Sequence, residues 1–143
     1  MILPALQTLL QSDPILASAL APWDFSDTVR RPAVFTVEPA PPECGNPVIV
    51  LVQNGGTPFE DRGHRGSEVS VTVKLWGDRL GSTEKHLRGL ATRVWRLLDR
   101  CALTLTDYDA VGAAASFPQR TQDAEGYPGY LLTLTIKVME KGE

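Results

Sequence analysis

The sequence predicts an α+β fold: a mostly antiparallel sheet with one long helix and short N-terminal helices packed on one face. Three stretches carry that expectation. Residues 67–76 alternate, with Val69, Val71, Val73 and Leu75 on one side and Glu68, Ser70, Thr72, Lys74 and Trp76 on the other, the period-two signature of a strand with one apolar face. From residue 84 to 101 the period becomes helical, and Leu87, Leu90, Ala91, Val94, Trp95, Leu97, Leu98 and Cys101 fall in one stripe. Residues 130–139 alternate again, with Leu132, Leu134, Ile136 and Val138 inward and Thr133, Thr135 and Lys137 outward. A half-apolar strand followed closely by a helix with a wide apolar stripe implies a helix lying on a sheet.

At the N-terminus, Pro4 suits the first turn of a helix and Leu6, Leu9 and Leu10 form a short stripe. Asp13-Pro14 reads as an N-cap and N1 pair opening a second short helix through Ile15, Leu16 and Leu20. Helices this short are marginal alone, so both are expected on the sheet face that the long helix covers. Residues 32–38 read as a strand whose N-terminal proline suits a strand start or an edge. Residues 39–47, rich in proline, form an extended connector. Val48-Ile-Val-Leu-Val52 is apolar at every position, which demands burial on both faces, as a central strand or beneath a neighbouring subunit.

Residues 54–66 hold four glycines and one proline without periodicity, and read as a long mobile loop. Gly77 to Gly81 breaks the strand before it, and Ser82 is placed to cap the long helix. Residues 103–106 and 110–117 read as two strands or as one strand broken at Asp107-Tyr-Asp109, and residues 121–126 as a polar turn. Antiparallel pairing of the Val69 and Leu132 strands is expected, leaving an opposite face of Ser70, Thr72, Lys74, Thr133, Thr135 and Lys137.

The chain has 143 residues, the length of one domain, with 43% hydrophobic and 22% charged residues. A net charge of −3 argues against a protein devoted to nucleic acid or anionic membrane. Two cysteines imply no disulfide framework and favour a reducing compartment, with one bridge left open. The start lacks the basic residues of a secretory signal, and no apolar run approaches the roughly 20 residues of a membrane helix.

The chemistry-bearing residues do not assemble into an enzyme. His64 and His86 are the only histidines, no nucleophile elbow is present, and neither phosphate-loop nor dinucleotide glycine spacing occurs. Cys44, His64, His86 and Cys101 lie in four separate segments without the paired spacing of a zinc site. No catalytic residue, cofactor or metal is therefore expected. The basic helix face (Lys85, Arg88, Arg93, Arg96 and Arg100 against Glu84 and Asp99) reads as a solvated face, an acid-pairing surface for a neighbouring chain, or a phosphate contact.

The chain resembles the tail-completion or tail-terminator proteins of long-tailed bacteriophages, prophages and phage-like gene transfer particles, the group that includes minor tail protein U. The resembling residues are the short helices with Asp13-Pro-Ile-Leu-Ala17, the Pro47-Val-Ile-Val50 strand, Val69 to Trp76, the helix from Glu84 to Leu98 and the closing Tyr130 to Val138 strand, in the family's order. The connector from Pro39 to Pro47 departs from the pattern. The resemblance implies a non-enzymatic structural protein of the virion, assembled in the bacterial host cytoplasm, that closes into a homo-oligomeric ring, hexameric in this family. Such a ring caps the tail tube, stops its growth and presents it to the head connector, with DNA only as passing cargo and no membrane contact.

A head-side stopper or adaptor ring of the neck is the nearest alternative, and a small cytosolic ligand-binding domain or enzyme a more distant one. On the ring reading, candidate interface residues are Phe59, Arg62, His64 and Arg65 in the glycine-rich loop, facing the tail tube protein, and Arg88 and Arg96 on the basic helix face. Candidate ring patches are the strand from Val48 to Val52, the Ser/Thr sheet face, and the basic helix against acids such as Glu38, Glu43, Glu60 or Asp61.

Overall fold

The structure, a computed structural model, describes residues 2–25, 30–38, 40–41, 44–45, 47–61, 64–77, 84–103, 105, 108–122 and 126–140; of residues 59–61, 64 and 84 it describes only the backbone. Two short helices, α1 (Ile2–Gln11) and α2 (Pro14–Ala19), lead into the short strands β1 (Pro22–Asp24), β2 (Arg30–Pro32) and β3 (Val34–Phe35). A long hairpin of β4 (Val48–Asp61) and β5 (His64–Trp76) precedes helix α3 (Glu84–Leu98). Strands β6 (Tyr108–Ala115), β7 (Gln119–Gln122) and β8 (Pro128–Glu140) close the chain. The main sheet runs β3-β4-β5-β8-β6, with β7 also on β8, and every pairing in it is antiparallel except β3 with β4.

The period-two runs land as expected. Val69, Val71, Val73 and Leu75 sit opposite Ile136, Leu134, Leu132 and Tyr130 in the β5–β8 register, and all eight are buried beneath the helices. From α3, the side chains of Leu87, Leu90, Ala91, Val94 and Leu98 complete this core. The helix stops before Cys101, because Arg100 turns into the left-handed region at φ 59° and ends the helical ladder. Ile2, Leu6 and Leu10 of α1 and Leu16 of α2 join the same core. Asp13 accepts from the Leu16 N–H at 3.1 Å and also receives the guanidinium of Arg93, fastening the N-terminal helices to α3.

Why the run from Val48 is apolar on both sides is now clear. Ile49 and Leu51 face the helical core, whereas Val48 joins a second, smaller cluster with Ala33 and Phe35. Trp23, Phe25, Ala40, Cys44 and Trp76 pack around that cluster, so β1 and the proline-rich connector cover one end of the sheet's other face. Gly129 is required here: a Cβ on it would lie 2.4 Å from the Trp76 ring and 2.6 Å from the Leu75 carbonyl oxygen.

Several expectations need correction. Residues 54–66 are not an irregular loop: Gly56 to Asp61 pair in register with Val69 to His64, and the glycines mark a bulge between Gln53 and Gly56, where Gly55 adopts φ 104°. Asn54 to Pro58 are exposed whichever face they point to, so the apolar signature that makes a strand legible is missing there. The strand expected over 32–38 shrinks to Val34–Phe35, since only those residues pair with β4 and the chain bends at 36–38. Residues 103 and 105 are not in a strand, although Leu105 is buried. Asp109 lies inside β6, and β7 occupies part of the expected polar turn. The Ser82 cap falls outside the described residues.

The sheet's outer strands are partly closed by side chains. On β3, the Gln7 amide donates to the Val34 carbonyl at 2.7 Å, and just before it the Gln11 amide donates to the carbonyl of Pro32, the last residue of β2, at 3.2 Å. On β6, the Ala115 N–H donates to Asp99 at 3.0 Å, and the Ala115 and Ala113 carbonyls accept from the Trp95 indole and the Arg100 N–H at 3.2 and 3.0 Å. Covering outer strands in this way blocks indiscriminate strand addition.

Candidate protein interface

Chemistry leaves few traces. Among the described residues no group of three or more His, Cys, Asp or Glu side chains is placed to hold a metal ion. Both cysteines are free and half-buried, and burial pushes each thiol's pKa up, which keeps it protonated and weakly nucleophilic. His86 is exposed on α3. No helix among the described residues is long and apolar enough to cross a membrane.

What the fold does build is three kinds of uncovered surface. The first is the distal arm of the β4–β5 hairpin. Strand β8 accompanies β5 only to Gly66, opposite Met139, and β3 accompanies β4 only at Ile49 and Val50. Past Gly66 the arm is two-stranded, Glu60 and Asp61 pairing with Arg65 and His64, and nearer the sheet Asn54 to Pro58 are all exposed. A two-stranded ribbon without a covered face is marginal in water, so a partner surface would stabilise it. Phe59 pairs with Gly66 and Asp61 with His64 in this arm, and Arg65 is exposed. Arg62 lies outside the described residues.

The second surface is the middle of the sheet face opposite the helices. Ser70 stands across from Thr135 and Thr72 across from Thr133, giving a flat strip of short hydroxyl side chains. Asn54 donates to the Thr72 hydroxyl, and Lys74 pairs with Glu38. Glu38 is thereby engaged within its own chain. The Val48–Val52 strand is likewise unavailable as a ring patch, because β1, the connector and the helices already bury most of it.

The third surface is the outer side of α3. Lys85, Arg88 and Arg96 are exposed there, while Arg93 is drawn to Asp13. The structure does not bring Arg88 and Arg96 together with the hairpin arm: α3 packs mainly across β8 and β6. Beside this ridge, Phe117 stands edge-on to Trp95, with ring centroids 5.4 Å apart. At the other end of β6 a cleft of about 250 Å³ is lined by Ile2, Val69, Leu105, Tyr108 and Val138, with Gln53 and Ser67 beside them. Sequence reasoning assigned Trp95 to the core stripe and passed over Phe117 and Tyr108. The one available signal was an aromatic residue at each end of an otherwise small-residue strand.

A helix-backed sheet of this fold is shared with a known particle protein. The family described as Tail completion protein gp17 matches residues 4–139. The chain belongs to that family. It is a structural virion protein of the tail-completion kind. Among solved structures, a chain in the virion of the native gene transfer agent (GTA) particle shares the fold, with a TM-score of 0.70 at 16% identity, covering 99% of this chain and 95% of that one. No curated protein sequence matches the chain.

Proposed function

We propose that this tail completion protein is a tail terminator. Copies close into a ring, hexameric by the family resemblance, on the head-proximal end of the tail tube, halt its growth, and offer the head connector a docking surface at the head–tail junction. The observation that carries this reading is the family match across 4–139, which spans the whole helix-backed sheet rather than one motif.

The surfaces described above suit the task. The end of the arm, where Glu60 and Asp61 pair with Arg65 and His64 beyond the last β8 pairing, supplies groups for the tube protein, and Phe59, Arg62, His64 and Arg65 are the proposed contacts. A ring requires one patch of each copy to meet a different patch of the next, and α3 and the β6 side provide surface separate from the arm. A chain with a net charge of −3 does not bind passing DNA tightly, which a conduit must avoid.

The test is removal of the chain from the particle. Without it, electron microscopy should show tails of uncontrolled length that are not joined to heads, and supplying the chain should restore both. Tails of normal length that lack only the join would favour a head-side stopper instead. Normal, joined tails would end the reading.

A further inference from the structure

We draw no further inference here: the strongest candidate, the surface patch where the exposed Phe117 ring stands edge-on to Trp95 of α3, carries nothing because no feature of the structure shows what covers it.

Discussion

Replacing Asp13 by alanine tests how the N-terminal helices are held to the rest of the fold. The carboxylate caps α2 through the Leu16 N–H at 3.1 Å and receives the Arg93 guanidinium from a position 80 residues away. Loss of the cap alone is worth about 1 kcal/mol. The Asp13 side chain is 4% exposed and that of Arg93 34%, so after the substitution the guanidinium regains water, and the ion pair adds less than a fully buried pair would. For a chain of this size the cap term corresponds to a fall in melting temperature of about 3–5 °C, with the pair adding to it.

Asp13→Asn keeps an acceptor for the cap and removes the charge, so it should melt between wild type and Asp13→Ala. The pH dependence has a defined sign. The hydrogen bond from Arg93 holds the Asp13 carboxyl below its ordinary 3.8, aided by the α2 N–H groups and opposed by burial. A depressed folded-state pKa contributes stability above the unfolded value and loses it as pH falls through the folded value. The difference in melting temperature between wild type and Asp13→Ala should stay constant from pH 7 to about 5 and shrink only below about 4. Calorimetry across that range decides the matter. A difference under about 1 °C, or one that widens on acidification, would refute this account of the lock.

Other substitutions probe the sheet and the arm. Gly129→Ala should cost about 1–3 kcal/mol by forcing a methyl into the Trp76 ring and the Leu75 carbonyl, whereas Gly112→Ala, with nothing within 4 Å of the added carbon, should be tolerated in the same denaturation series. Val71→Asp should unfold the protein, since the side chain is fully buried in the apolar core; far-ultraviolet circular dichroism reads the loss. Excising residues 59–66 and joining Pro58 to Ser67 through Asn-Gly should leave the melt within a few degrees, because only the Gly66–Met139 register pair with β8 is lost, and should abolish tail completion. Phe59→Ala should do the latter alone, as read by particle morphology.

The two alternating strands and the striped helix were legible because each has one face in the core, and a buried face imposes its period on the sequence. The Asp13-Pro14 start of α2 was legible because capping is local chemistry. The arm was not: Asn54 to Pro58 are exposed on both faces, so no apolar side marks their pleat, and glycine and proline then read as loop. Strand β7 was missed for the same reason, being four residues with mostly exposed side chains. Of the candidate interface residues, the sequence singled out Arg88 and Arg96 by charge and the arm by composition, but it could not weigh Phe117 against a core aromatic.

Local pattern alone therefore determined that a helix-backed, largely antiparallel sheet would form, with the β5–β8 pairing at its centre. Only the folded chain decided which strand ends lie uncovered, that Arg93 and Glu38 are engaged internally by Asp13 and Lys74, and that an exposed aromatic and an apolar cleft stand at opposite ends of β6. Periodicity records whether a residue faces a core. It carries no record of which distant residue completes a contact, because that depends on register and on packing between segments 80 residues apart, as in Asp13 and Arg93.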